Sequence, residues 1–238
     1  MRIRYAVGLA ISLILSSCGS VMYVSPMPSV PLLEEKGDVS ADLKIELPTT
    51  LIPPAVEADA SFAITDHMGF QFQGQLVEKE NHYAQVGAGY FTKVTGKQVF
   101  ESYLTGGMGL QINRPDNPDG TSSLSDKEYT RFNYNQYCIQ ANYGWKNLTR
   151  ANIDCGFSLR AGLMNYHMYG TTDGVEKVNI RKNIPLAEPM LFFRIGTKPV
   201  KYQMEITYST FSNHVQNSDL PRMINSPFSW TMGLNFNF

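Results

Sequence analysis

Ser226-Pro-Phe-Ser-Trp-Thr-Met-Gly-Leu-Asn-Phe-Asn-Phe238 is the stretch that decides the fold. Phe228, Trp230, Met232, Leu234, Phe236 and Phe238 fall on one face, and Ser229, Thr231, Gly233, Asn235 and Asn237 on the other. A period of two is the mark of a β-strand with one apolar and one polar side. An apolar strand left unpaired at the edge of a soluble sheet invites aggregation. In a closed sheet such a strand finds its partner in the first strand, so the segment beginning at Val39 is its expected neighbour.

Working back from this stretch, the same alternation recurs nine times. Val39, Ala41, Leu43, Ile45 and Leu47 alternate with Ser40, Asp42, Lys44 and Glu46. Later runs centre on Val56–Ile64, Met68–Leu76, Ala84–Tyr90, Phe100–Ile112, Tyr137–Trp145, Ile153–Leu163, Leu186–Gly196 and Tyr202–Tyr208. In the run near Tyr137, Phe132 and Tyr134 are out of phase with the residues after them, which predicts a β-bulge near Asn135. The polar faces collect Glu46, Glu57, Asp59, Gln71, Gln73, Gln75, Arg160, Arg194, Lys201 and Glu205. Charges of both signs suit mutual neutralisation in a narrow interior, because unpaired buried charge is costly. Aromatics on the apolar faces (Tyr90, Tyr143, Trp145, Tyr202, Tyr208, Trp230, Phe238) lie near strand ends, as an interfacial girdle requires. Short turns on one side and long polar loops at 113–127, 169–185 and 212–225 on the other complete the pattern. The expected fold is all-β: an antiparallel up-and-down transmembrane β-barrel of about ten strands, with short periplasmic turns and long extracellular loops.

The chain start gives the compartment. Residues 1–17 combine Arg2 and Arg4 with an apolar run from Ala6 to Leu15, too short for a permanent membrane helix and of the form of an export signal. Leu15-Ser-Ser-Cys18-Gly19 resembles the lipobox of bacterial lipoproteins. That resemblance implies cleavage before Cys18 and lipid attachment to its thiol. Residues 18–36, with Pro26, Pro28 and Pro31, read as an extended tether, and residues 37–238 as the barrel domain. The N- and C-termini are then expected on the periplasmic side, with the lipid of Cys18 in the adjoining leaflet.

The terminal alternation ending in Phe238 resembles the strand that outer-membrane insertion machinery reads, which makes residues 226–238 the expected contact for that partner. Together with Leu32-Leu33-Glu34-Glu35-Lys36-Gly37 and Ala63-Ile64-Thr65-Asp66-His67-Met68-Gly69, the chain resembles the small lipid-anchored outer-membrane barrels of Bacteroidetes, with OmpA/OmpX-like architecture. The family carries no settled biochemical role.

Composition argues against several classes of function. With 20 basic and 21 acidic residues there is no basic excess to hold nucleic acid. Cys138 and Cys155 fall on opposite faces, which disfavours a disulfide, and neither has a neighbour at metal-ligand spacing. No cofactor or metal site is expected. Asp116-Asn-Pro-Asp-Gly120 lacks calcium-loop spacing and reads as a hydrated turn. Rim enzymes of the omptin kind use Asp and His to activate water. The corresponding candidates are His82, His167 with Asp173, and His214 with Asp219, but no family spacing joins them, and His67 belongs to a turn on the other rim. The expectation is a non-enzymatic barrel with a structural or surface-interaction role, its loops at 113–127, 169–185 and 212–225 open to an extracellular ligand. The alternatives are a narrow pore or small-ligand binder and, last, a rim hydrolase.

Overall fold

The computed structural model describes residues 21–23, 26–48, 54–77, 81–113, 129–172, 175–210, 223–225 and 228–238. Its strands are β1 (Val21–Tyr23), β2 (Val39–Pro48), β3 (Ala55–Ala63), β4 (Met68–Leu76), β5 (His82–Thr95), β6 (Gln98–Asn113), β7 (Tyr129–Trp145), β8 (Ile153–Thr172), β9 (Val175–Thr197), β10 (Val200–Tyr208), β11 (Met223–Asn225) and β12 (Phe228–Asn237). Ten of them form a closed antiparallel barrel in chain order, β2 through β10 followed by β12, while β1 and β11 make a separate two-stranded parallel pair. The ring closes where the alternation requires: Trp230 lies opposite Leu47, Met232 opposite Ile45 and Phe236 opposite Ala41. Val39 and Phe238 exchange main-chain hydrogen bonds at 3.2 and 3.0 Å.

The faces are inverted relative to a soluble barrel. Apolar side chains point outward, with Leu104 at 68% and Leu191 at 65% exposure, while Lys44, Glu46, Glu57, Arg160 and Arg194 are fully buried inside. Nine- and ten-residue strands at β2, β3, β4, β10 and β12 match the length needed to cross a bilayer core. Tyr90, Tyr202 and Phe238 mark the outer surface near the short-turn rim, and Tyr208, Phe228 and Trp230 lie at the other end.

Two sequence expectations fail here. The pairing of β7 with both neighbours runs unbroken from Tyr129 to Trp145, so there is no bulge at Asn135. Phe132 and Tyr134 are in phase with Gln136, Cys138 and Gln140, and all five are buried inside. Phe132, Tyr134 and Cys138 belong to an internal apolar cluster with Tyr83, Met164, Tyr166, Met168, Ile184 and Leu186. The register shifts lie instead between Lys93 and Thr95 and between Gly170 and Thr171. The second failure concerns 169–185, which is largely strand: β8 continues to Thr172 and β9 begins at Val175. This strand contains Pro185 and Pro189, and β10 pairs with β9 only up to Met190. The two prolines therefore stand where β9 is bonded on one side only, the place where a missing N–H is tolerated.

Of the other long loops, 114–127 and 212–222 lie outside the described residues, and 223–225 form β11. The segment expected as a tether has a different place altogether. Met27, Ser29, Val30, Leu32 and Leu33 are buried inside the barrel.

Candidate functional site: a lumen filled by the chain's own segment

The interior is a polar lattice made by inward positions of every barrel strand. Lys44 on β2 lies 2.6 Å from Glu57, 2.7 Å from Asp59 and 3.2 Å from Glu205, joining β2 to β3 and, across the closing strand, to β10. Arg160 pairs with Glu188 at 2.6 Å, Lys201 with Asp154 at 2.7 Å and Arg194 with Asp42 at 3.6 Å. Among the described residues, eight buried carboxylates (Asp42, Glu46, Glu57, Asp59, Glu101, Asp154, Glu188, Glu205) face five buried cations (Lys44, Lys146, Arg160, Arg194, Lys201). The excess is acidic, so any water path opened here favours cations.

Residues 26–33 run through this lattice, buried from Pro26 to Leu33. The Arg160 guanidinium donates to the carbonyl of Pro26, and the Gln73 amide to that of Met27. Gln140 Nε2 donates to the Ser29 carbonyl at 2.5 Å and Asn142 Nδ2 to the same oxygen at 3.3 Å. Arg194 Nη2 reaches the Val30 carbonyl at 2.6 Å, and Lys146 Nζ the Leu32 carbonyl at 3.0 Å. In the other direction, the Met27 amide donates to Glu57 Oε2 at 3.1 Å and the Leu33 amide to Glu101 Oε1 at 2.8 Å. Each of these bonds goes to the segment's main chain. A buried strand with no sheet neighbour must find partners for its peptide groups somewhere, and the lumen side chains supply them.

At the short-turn rim the segment is held by packing and charge. Leu32 adopts a left-handed backbone, φ 54°, unusual for a residue with a Cβ. Its side chain fills the space left by Gly144, where an added Cβ would come within 2.6 Å of Leu32 Cδ2. Glu34 lies 3.0 Å from Lys146 and 3.4 Å from Lys93. Burial alone raises the Glu34 pKa, but the two lysines outweigh it and hold the carboxyl below its ordinary range. Asp38 Oδ2 accepts from the Glu34 amide at 2.8 Å, and Asp66 Oδ1 from the Lys36 amide at 3.1 Å, leading the chain around into β2.

Among the described residues, the candidate catalytic groups do not converge. His82 points outward and is exposed at the start of β5. His167 also faces outward on β8, with Nε2 2.9 Å from Asn179 Oδ1. Asp173, His214 and Asp219 lie outside the described residues, as does Cys18. His67 sits in the β3–β4 turn, where Thr65 Oγ1 accepts from the His67 and Met68 amides at 3.2 and 2.9 Å. Cys138 faces inward, Cys155 outward, and both are free.

The inverted faces and the closed up-and-down ring define a membrane-spanning β-barrel of the outer-membrane type, with its lumen occupied by a segment of its own chain. No family model matches the chain, and no curated protein matches it. Solved structures with a similar fold include the KdgM porin, 10% identical, covering 84% of this chain and 99% of that one at a TM-score of 0.38. They also include a deltaS2 mutant of the TodX monoaromatic hydrocarbon channel, 10% identical, covering 92% and 72% at a TM-score of 0.36. A likeness this distant says nothing of ligand or transport.

Proposed function

We propose that this is an outer-membrane lipoprotein barrel, kept closed by its own residues 26–33, with a structural or surface-interaction role rather than an enzymatic one. Its long loops, 113–127 and 212–225, face outward for an extracellular ligand, Cys18 carries the lipid, and residues 226–238 are the strand that insertion machinery reads. The observation that supports the closed state is the binding of successive main-chain carbonyls of 26–33 by Arg160, Gln73, Gln140, Asn142, Arg194 and Lys146. A barrel so filled offers no continuous water path along that length. Full-length protein in planar bilayers is expected to stay closed apart from rare openings, and steady channels from the wild type would overturn the reading.

A second reading, a gated pore, is favoured by one feature. The segment is held in a polar, net-acidic lumen largely by hydrogen bonds that water can replace. It predicts rare, cation-preferring openings whose frequency rises when those bonds are removed.

A further inference from the structure

The partners of residues 33 to 26 climb steadily away from the short-turn rim. Leu33 bonds to Glu101, close to the start of β6 at Gln98. Val30 meets Arg194, near the end of β9 at Thr197. Ser29 meets Gln140, deeper along β7, and Met27 meets Glu57, well inside β3. Pro26 meets Arg160, toward the middle of β8. The next described residues, Val21 to Tyr23, pair with Met223 to Asn225. Those residues belong to the connection between the end of β10 at Tyr208 and the start of β12 at Phe228, on the long-loop rim. The steps from Pro26 to Val21 span up to about 17 Å when extended, enough to carry the chain from mid-barrel to that rim. Phe238 and Gly37 remain at the opposite, short-turn rim, where Val39 bonds to Phe238 and Gly37 to Ala63.

Gly37 and Phe238 share one rim, but the course of residues 33 to 21 points away from it. We propose that the chain crosses the membrane once more than its barrel strands do, through its own lumen, and delivers the arm before Pro26 to the long-loop face. This rests on the reading of Cys18 as the lipid-bearing residue and changes its destination. Covalent geometry keeps Cys18 within about 10 Å of Val21, so its acyl chains enter the leaflet beside the long loops. An unthreaded tether from Gly37 would place the same lipid in the opposite leaflet. The barrel thus acts as the fixed conduit that exposes a lipidated amino-terminal arm, and β11 is the docking strand that receives it.

The test uses full-length protein in cells, with Cys138 and Cys155 replaced by Ser. The pair Met22→Cys with Ile224→Cys is expected to cross-link on mild oxidation, giving a changed mobility on a non-reducing gel, while Met22→Cys with Asn237→Cys does not. A reversed pattern, or no cross-link in either pair, overturns the threading. In the same background, Ser20→Cys is expected to react with a membrane-impermeant maleimide on intact cells. Labelling only after permeabilisation, or in neither condition, overturns delivery to the outer face. Palmitate labelling that persists in Cys18→Ala would remove the lipid and leave the threading standing, so the two failures are told apart.

Discussion

The double substitution Gln140→Leu with Asn142→Leu removes, with little change of side-chain volume, both donors to the Ser29 carbonyl. That oxygen is then buried without a partner, which costs about 2 kcal/mol. The released segment can hydrate the same oxygen, so the penalty falls on the closed form alone. At about 1.4 kcal/mol per factor of ten, the ratio of closed to open barrel falls roughly 30-fold. The barrel pairing is untouched, because β7 keeps its main-chain ladder to β6 and β8. Asn142 also donates to Glu101 at 2.9 Å, and Glu101 retains the Leu33 amide until the segment leaves. Single-channel recording of the full-length variant should show openings about 30 times more frequent than wild type, cation-preferring and unchanged in unit conductance. The control is Thr207→Val, a buried lumen position on β10 away from the segment. An opening frequency equal to wild type, in protein that still shows the heat-dependent gel shift of a folded barrel, would refute the premise that main-chain ligation holds the segment.

Lys44→Met strands Glu57, Asp59 and Glu205 without their shared cation, and should lower barrel stability by about 3–5 kcal/mol, read as the urea midpoint of the heat-modifiable band. Gly144→Val fills the space of Leu32 and should raise opening frequency while leaving the gel shift intact; an unchanged frequency would deny Leu32 its role as a stop. Glu34 is held below its ordinary pKa, so its contribution is complete above that value and is lost as pH falls through the depressed folded pKa. Wild type should therefore lose stability relative to Glu34→Gln only in acid below about pH 4.5, and a wild-type loss that appears instead as pH rises toward neutral would refute the depressed pKa. Palmitate incorporation should depend on Cys18 and vanish in Cys18→Ala.

Much of the ring was legible because period-two alternation is enforced wherever one face meets lipid and the other a polar interior. The β2–β12 closure follows from that rule, as do the inward Gln71, Gln73 and Gln75 and the inward Arg160 and Arg194. Phe132 and Tyr134 misled because the rule equates aromatic with outward. Above the charged lattice the interior is apolar, and inward aromatics there imitate a register slip. The segment 26–33 was missed for a different reason. Its bonds are made by main-chain atoms, which every sequence possesses, and prolines at 26, 28 and 31 suit an exposed linker as well as a buried extended strand. One signal was present: Met27, Val30, Leu32 and Leu33 are too apolar for a solvated tether. The partners on the barrel, scattered from Glu57 to Arg194, share no local pattern with it.

The closing pair also sets an order of events. A finished ring is studded with Lys44, Arg160 and Arg194, and on the proposed threading it would have to pass a lipid-bearing arm. The first residues of the domain must therefore lie along the nascent sheet before Phe228–Asn237 meets Val39–Pro48. The pairing of Phe228–Asn237 with Val39–Pro48 then seals residues 26–33 inside, much as a mould is closed around a core already laid in it.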